Sequence, residues 1–256
     1  MNRESINHPS LLIDVGNSSI KWATYLASEL SDMSQLLHTD ENVFKNINQQ
    51  WLSLEQPSAV YISCVAEDEV LTRIVELCNK LWDIAPQVIQ SKKQQLGLIN
   101  AYKAPLELGS DRWCAMLGAW CLSRKGFVVI NAGSALTIDI VNQSGEHIGG
   151  YILPGINMMK KSLGQQTAKI TAPANIEASI AISLGKSTNE CINAAVHLST
   201  INFISQVIEQ HKEPYSTECY LSGGDAIKLG KLLDINYTLM PDLVLRGMAC
   251  IINNAT

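Results

Sequence analysis

Residues 11–23 read LLIDVGNSSIKWA, and the pattern of this stretch indicates how the chain folds. An apolar run that carries Asp14 breaks at a turn of glycine, asparagine and serine, and resumes with Lys21. Apolar and polar positions that alternate after such a turn predict a β-hairpin over residues 11–26. The hairpin places a carboxylate and an ammonium beside the main-chain N–H groups of its turn. This arrangement is suited to binding phosphate and magnesium.

A second stretch with the same layout lies about half the chain further on, where residues 130–140 read INAGSALTIDI. In each stretch an apolar strand ends in Asp or Asn, a glycine follows two residues later, and a small hydroxyl residue comes soon after. Such a repeat favours a duplicated α/β unit. We place the two domains at residues 1–120 and 121–256.

Hydrophobic periodicity predicts the other elements. Helices are expected over residues 68–82, 110–123, 189–209 and 242–252. Strands are expected over residues 59–65, 127–131, 135–141, 147–153 and 219–224.

Composition excludes several classes of function. The net charge of the 256 residues is −5 and no long basic run occurs, so a nucleic-acid surface is not indicated. No apolar stretch looks long enough to span a bilayer, and residues 1–10 lack the apolar core of a signal peptide. The seven cysteines are scattered and never spaced as Cys-x-x-Cys, which favours reduced thiols over disulfides or zinc. We therefore expect a cytoplasmic protein without a membrane or nucleic-acid partner.

Three glycine turns at strand ends are candidate nucleotide contacts. In the first hairpin Asp14 could hold Mg²⁺ through water, Asn17 and Ser18 could donate to phosphate, and Lys21 could neutralise charge. The third turn, LSGGDA at residues 221–226, offers bare backbone to the adenosine end of a nucleotide. Neither a Walker loop nor a Rossmann fingerprint occurs. A plain hairpin with a buried or solvated aspartate remains the alternative.

Residues 100–112, NAYKAPLELGSDR, supply a candidate for chemistry. Asp111 and Arg112 follow a Leu-Gly break at the predicted start of a helix, where the helix dipole favours anions. Asp111 could accept the proton of a hydroxyl group, and Arg112 could bind a substrate carboxylate with two hydrogen bonds. The alternative is an Asp-Arg pair that only caps the helix.

Together these motifs resemble the type III pantothenate kinases. The resemblance covers residues 11–248, and its seven motifs occur in the family's order. They are DVGNSSIK (14–21), YKAPLELGSDR (102–112), INAGSALTID (130–139), GGYILPG (149–155), LGKST (184–188), LSGGDA (221–226) and PDLVLRGM (241–248).

The resemblance implies an α/β fold of duplicated actin-like (ribonuclease H-like) domains, with the nucleotide in the interdomain cleft. It implies ATP-dependent phosphorylation of pantothenate to 4'-phosphopantothenate, the first step of coenzyme A biosynthesis, with ATP and Mg²⁺. It also implies a homodimer whose second subunit helps to close the pantothenate pocket. The apolar segment 149–163 is expected near that interface, although a core helix would have the same composition.

The resemblance assigns candidate residues, with Asp111 as the catalytic base. Those for ATP are Asp14, Val15, Gly16, Asn17, Ser18, Ser19, Ile20, Lys21, Gly133, Ser134, Gly223 and Gly224, with Asp14 also for magnesium. Those for pantothenate are Tyr102, Gly109, Ser110, Asp111, Arg112 and Thr188.

The chain departs from the family pattern at two positions. Ser134 stands where threonine is usual and keeps the hydroxyl group. Asn131 stands where the family has an aspartate that binds a monovalent cation, potassium or ammonium, so we expect a reduced cation requirement. Two alternatives remain open: another small-molecule kinase or ATPase of the same fold, or a catalytically idle regulatory relative.

Overall fold

The computed structural model describes residues 8–166, 182–211 and 218–254. The chain forms two compact units, one of Met1–Ser123 with Asp242–Thr256 and the other of Arg124–Pro241. The division after Ser123 lies close to the boundary expected near residue 120. It differs from the expectation in one respect, because the C-terminal helix packs with the first unit.

The first unit is built around a mixed sheet. Its strands are β1 (Ser10–Val15), β2 (Ser19–Leu26), β3 (Glu29–Leu30), β4 (Ser34–Leu37), β5 (Ala59–Cys64) and β6 (Gln87–Val88). They are arranged in the order β3-β2-β1-β5-β6, and β4 pairs with β2. β1 is antiparallel to β2 and parallel to β5, as a hairpin followed by a crossover requires. A separate two-stranded ribbon consists of β7 (Gln94–Gln95) and β8 (Leu98–Ile99).

The helices of the first unit are α1 (Val43–Leu52), α2 (Asp68–Trp82) and α3 (Ser110–Ser123), with a short 3-10 turn at Pro105–Glu107. Apolar side chains of β1, β2 and β5 share one core cluster with those of α1 and α2. Trp51 of α1 lies at its centre, stacked on Trp82 at 5.6 Å and edge-on to Trp22 at 6.0 Å between ring centroids. Two helices therefore cover this face of the sheet.

The second unit repeats the arrangement. Its strands are β9 (Phe127–Ala132), β10 (Ala135–Val141), β11 (His147–Pro154), β12 (Glu218–Ser222) and β13 (Thr238–Leu239), in the order β11-β10-β9-β12-β13. Its helices are α4 (Ile156–Gln166), α5 (Thr188–His211) and α6 (Ala226–Gly230). β9 is antiparallel to β10 and parallel to β12.

When β4 is left out, the two sheets have the same strand order and directions: a hairpin whose first strand pairs with a later parallel strand. The predicted duplication is therefore confirmed. The predicted hairpin, strands and helices are confirmed as well, with α2 and α3 at the expected residues.

The C-terminal helix, α7 (Leu243–Asn253), packs against α3. The two backbones approach closely at Gly247, where a Cβ atom would overlap the carbonyl oxygen of Cys114. At Gly118 on α3 a Cβ atom would lie 2.6 Å from the carbonyl oxygen of Leu243. Because α7 and α3 pack closely at these two glycines, the C-terminal segment belongs to the first unit.

α5 is the one described helix that is long and apolar enough to cross a membrane, with a mean hydropathy of 1.3 over 18 residues. The expectation that no stretch would pass such a test is therefore wrong. Ile192, Val196, Ile201, Ile204 and Val207 of this helix pack in the core of the second unit. Core packing accounts for the apolar composition.

All seven cysteines lie within the described residues, and none of them forms a disulfide. Burial raises the pKa of Cys78 and of Cys219 to about 12, so both thiols stay protonated and unreactive at neutral pH.

Candidate active site

Asp14 lies near the end of β1, between Lys21 on β2 and Ser63 on β5. Residues paired across strands in this way present their side chains on the same face of the sheet. The Asp14 side chain is buried, with 7% exposure, and no described group hydrogen-bonds to its Oδ1. A buried carboxylate oxygen without a protein donor is uncommon, and a cation or a water molecule can satisfy it.

Burial raises the pKa of Asp14 to about 7. The Lys21 ammonium acts against this rise, and the negative charge of Asp111 adds to it. Asp14 and Asp111 are thus close enough to interact electrostatically. A divalent cation bound here would favour the charged form of Asp14 and offset the repulsion.

The hairpin turn joins β1 to β2 through residues 16–19. The main-chain N–H of Gly16 donates to the carbonyl oxygen of Ser19 at 3.0 Å, and Asn17 and Ser18 are exposed at the tip. Val15 and Ile20 flank the turn, but their side chains are fully buried in the core. If these two residues contact ATP, they do so through the main chain.

Asp111 lies in the first turn of α3, as the sequence predicts. Its Oδ1 accepts a hydrogen bond from the main-chain N–H of Arg112 at 2.7 Å. The Ser110 hydroxyl lies 3.0 Å from that of Ser63, which ties the start of α3 to β5. At Gly109 an added Cβ atom would come within 2.7 Å of Asp111 Oδ1, so glycine leaves room for the carboxylate.

Arg112 is buried, with 6% exposure, and its Nη1 donates to the Tyr102 hydroxyl at 3.0 Å. The guanidinium carbon lies 5.8 Å from the centroid of the Tyr102 ring. The two pantothenate candidates are therefore in contact, although ten residues separate them in the chain. A guanidinium held in this way is suited to binding a carboxylate.

The segment before α3 is held by two buried polar residues that the sequence analysis did not select. Asn100 donates through Nδ2 to the carbonyl oxygens of Lys92 and Pro105, and its Oδ1 accepts from the N–H of Tyr102 at 2.9 Å. The Ser91 hydroxyl reaches the carbonyl oxygens of Pro105 and Leu108 at 2.8 and 2.6 Å. These bonds position the main chain of Tyr102.

In the second unit the glycine motifs pack against one another. Gly155 donates to the carbonyl oxygen of Ser134 at 2.9 Å, and a Cβ atom at Gly155 would overlap the backbone of Gly133. Gly223 has φ +100°, and a Cβ atom there would overlap the backbone of Ala132. The second hairpin and the adenosine motif are thus adjacent, whereas Gly224 is exposed with open space where a side chain would be.

The two remaining candidates also lie in the second unit. Asn131 is half-buried on β9, between Thr137 on β10 and Ser222 on β12. Thr188 is exposed at the first residue of α5. The structure thus gathers Asp14, Lys21, Asp111 and Arg112 with their neighbours in the first unit, and the glycine motifs in the second.

Magnesium fits the residues at Asp14. Within the described part of the chain, no three His, Cys, Asp or Glu side chains form a cluster that could enclose a metal ion. Mg²⁺ needs no such cluster, because it keeps several waters and takes one or two carboxylates together with substrate phosphates. The uncompensated Oδ1 of Asp14 is an oxygen of the required kind.

Solved structures of similar fold define the class of protein. A Campylobacter jejuni protein assigned to the Baf family of transcriptional activators is 25% identical, with a TM-score of 0.59, and the match covers 96% of this chain and 98% of that one. The Clostridium difficile activator of 2-hydroxyisocaproyl-CoA dehydratase, solved with bound ADPNP, gives a TM-score of 0.52 at 10% identity, covering 95% and 92%. The fold is that of the actin-like ATPases and sugar kinases, as expected.

The sequence narrows this class to one family. Residues 10–210 match the type III pantothenate kinase family. The type III pantothenate kinase of Dichelobacter nodosus is 33% identical, covering 93% of this chain and 95% of that protein. The Nitrosococcus oceani enzyme is 31% identical, covering 93% and 92%. The chain belongs to the type III pantothenate kinase family and is a kinase.

Proposed function

We propose that this chain transfers the γ-phosphoryl group of ATP to the primary hydroxyl of pantothenate, giving 4'-phosphopantothenate and ADP in the first step of coenzyme A biosynthesis. The observation that carries the proposal is Asp111 at the start of α3, beside the buried Arg112–Tyr102 pair and within electrostatic reach of Asp14. This arrangement offers a proton acceptor and an anion-binding group at a phosphate-binding hairpin.

Asp111 acts as the general base. The hydroxyl oxygen of pantothenate forms a bond to the γ-phosphorus, and the bond from that phosphorus to the β,γ-bridging oxygen breaks. The hydroxyl proton passes to the Asp111 carboxylate, and ADP leaves with the bond electrons. Gly109 leaves the carboxylate the space in which to take the proton.

Asp14 would hold Mg²⁺, and the ion would neutralise phosphate charge. The exposed tip of the first hairpin, Asn17 and Ser18, donates hydrogen bonds to phosphate oxygens, and Lys21 adds a positive charge. In the second unit the Ser134 hydroxyl donates to phosphate oxygens as well. The N–H of Gly133 is engaged by the carbonyl oxygen of Ala135, and the glycine leaves the main chain accessible. Bare backbone at Gly223 and Gly224 lies against the adenosine end of ATP.

Arg112 binds the carboxylate of pantothenate, and Tyr102 holds the guanidinium in place. Gly109 and Ser110 shape the same pocket, and Thr188 contributes a hydroxyl group. Because a guanidinium binds a planar carboxylate with two hydrogen bonds, it orients the substrate as well as attracting it. This interaction selects a small acid over a neutral sugar.

A monovalent cation binds weakly, if at all, at Asn131. Its amide oxygen can coordinate potassium or ammonium, but the negative charge of an aspartate is absent.

We further propose a homodimer, which is supported by an exposed apolar surface. Ile152 on the edge strand β11 is 60% exposed, and Met158 on α4 is 50% exposed. The family assignment favours a cytoplasmic protein whose small-molecule partner is pantothenate, without nucleic acid or membrane.

A second candidate function is regulatory. The Campylobacter jejuni structure of similar fold is assigned to a family of transcriptional activators, and it is 25% identical to this chain. A regulator without catalysis would not need Asp14, Asp111 and Arg112 together. The arrangement of these three side chains therefore favours the kinase.

The test is a substrate panel. Purified chain with ATP and Mg²⁺ is offered pantothenate, several sugars and several small hydroxy acids, and ADP release is followed by a coupled assay. We expect kcat/KM for pantothenate to exceed that for any sugar by at least about 100-fold. A site that is built to bind a charged group strongly rejects a substrate that lacks this group. Turnover of a sugar in preference to pantothenate would instead establish another kinase of this fold.

A further inference from the structure

His38, which follows β4 directly, is hydrogen-bonded twice to the first phosphate hairpin. Its main-chain N–H donates to the carbonyl oxygen of Ser18 at 2.9 Å. Its ring Nε2 lies 3.0 Å from the carbonyl oxygen of Gly16. One residue outside the hairpin thus engages two carbonyl groups of its turn.

The ring bond fixes the position of one proton on the imidazole. A carbonyl oxygen can only accept a hydrogen bond, so Nε2 must carry the proton. The neutral ring with its proton on Nε2 and the charged imidazolium both meet this requirement. Nε2 is therefore the hydrogen-bond donor to the hairpin.

The same bond fixes a peptide plane. The carbonyl oxygen of Gly16 and the N–H of Asn17 belong to one planar trans peptide, and they point in opposite directions. When His38 holds the carbonyl on one side, the N–H of Asn17 is presented on the other. Because glycine at position 16 lets this peptide plane rotate more easily, a hydrogen bond from outside the turn helps to fix its orientation.

We infer that His38 is a positioning residue for nucleotide binding: it orients the Gly16–Asn17 peptide so that the Asn17 N–H faces the phosphates. This inference rests on the proposed role of the hairpin in binding ATP. This role requires no contact between His38 and either substrate. The residue acts through the hairpin, and its effect falls on the nucleotide and leaves pantothenate binding unchanged.

The position of the ring allows a clean substitution. His38 is half-buried at the rim of a surface cavity of about 440 Å³, lined also by Asp40, Phe44 and Arg73. A smaller side chain enlarges an open cavity and leaves no void in the core. The amide of glutamine can donate to the same carbonyl oxygen, so His38→Gln restores the donor that His38→Ala removes.

The test compares His38→Ala, His38→Gln and a control, His8→Ala, which removes an exposed histidine of the same unit that pairs with Glu55. Calorimetry measures the binding of Mg·ADP without pantothenate, and steady-state kinetics measure KM for each substrate. For His38→Ala we expect Kd for ADP and KM for ATP to rise about 3- to 10-fold, the range for one lost hydrogen bond. KM for pantothenate stays unchanged. In His38→Gln, Kd for ADP and KM for ATP return to within about twofold of the wild-type values, and in His8→Ala both match wild type.

Other outcomes overturn the inference. These are wild-type ADP affinity in His38→Ala, an equal rise of both KM values, a glutamine variant no better than alanine, or a wild-type chain that binds no ADP. A wild-type chain that binds ADP but does not phosphorylate pantothenate would contradict the proposed function, and the inference would still be decided by the ADP affinities.

Discussion

Two carboxylates of the first unit are held in contrasting environments. Asp14 is buried, with one oxygen that no described group satisfies. Asp111 accepts the N–H of Arg112 and lies in the first turn of a helix, where the dipole favours an anion. The first environment suits a bound cation, whereas the second suits the base of the proposed reaction. This contrast supports the division of roles between them.

The raised pKa of Asp14 predicts a pH-dependent stability in the metal-free protein. Between the ordinary value of 3.8 and the folded value of about 7, the folded state keeps a proton that the unfolded state releases. The free energy of unfolding therefore falls as pH rises through this window. Asp14→Asn has no titrating carboxyl group at this position, so its free energy of unfolding does not show this decrease. The difference amounts to at most about 4 kcal/mol.

Urea unfolding in EDTA at pH 5 and pH 8 measures the part of this difference that lies above pH 5, at most about 3 kcal/mol. We expect Asp14→Asn to gain stability relative to wild type at pH 8, because the amide avoids burying a charge. Parallel changes in the two proteins would show that the carboxylate is better solvated than its burial indicates.

Asn131 predicts a weak dependence on potassium. A carboxylate in contact with a cation would contribute about 4 kcal/mol of attraction at an effective dielectric of 20, before desolvation is subtracted, and the amide lacks this charge. Potassium titrated into enzyme in Tris buffer should raise activity little, and it should raise the melting temperature little. In Asn131→Asp both responses should be larger. A wild-type enzyme that is inert without potassium and saturates at low concentration would refute the argument.

Among the structural elements, the crossing of α3 and α7 matters most for the site. α3 carries Asp111 and Arg112 at its start, and α7 approaches its backbone at Gly247 and Gly118. Asp242 and Arg246, which form an ion pair at 2.8 Å, belong to the same PDLVLRGM segment. The last of the seven motifs therefore has a structural role, because it packs against the helix that presents Asp111, the proposed base.

Gly247→Ala is expected to destabilise the protein by about 1–3 kcal/mol, the usual effect of forcing atoms into a packed contact. The new Cβ atom would overlap the Cys114 carbonyl oxygen, so the two helices must move apart. Chemical denaturation measures the loss, and Cys250→Ala, at a half-buried position of α7, is the matched control. If Gly247→Ala is no less stable than this control, the close crossing is not essential.

At the scale of the whole molecule, assembly is the first question. We expect a dimer in sedimentation, formed through the apolar surface of β11 and α4. Ile152→Glu places a charge on that surface and should shift the protein to the monomer, since a buried unpaired charge is strongly unfavourable at an interface. Met158→Leu keeps the surface apolar and serves as the control, which should remain a dimer. A fully active wild-type monomer would exclude this interface.

The sequence predicts much of this molecule because its signals are local. The glycine turn after Asp14 and the regular spacing of apolar residues in α2 are visible in a few residues, and both are found in the structure. α1 was missed, although Val43, Ile47 and Trp51 repeat at a helical spacing. Its many polar residues hid the pattern.

What the sequence did not reveal depends on tertiary contacts. His38 reaches the hairpin from 22 residues away, and Ser91 and Asn100 act on carbonyl groups of the Tyr102 segment. A histidine or an asparagine in a polar stretch gives no local sign of such a partner. The packing of α7 on the first unit is equally non-local.

The central claim is that this chain phosphorylates pantothenate with Asp111 as the base, and one paired measurement tests it most directly. Wild type and Asp111→Asn are given ATP, Mg²⁺ and pantothenate, the appearance of 4'-phosphopantothenate is followed by phosphorus NMR, and pantothenate binding is measured in parallel. We predict rapid product formation by wild type and a loss of about 10²- to 10⁴-fold in the variant, with pantothenate still bound. Failure of the wild type to form the product, or equal rates in the two proteins, would contradict the account.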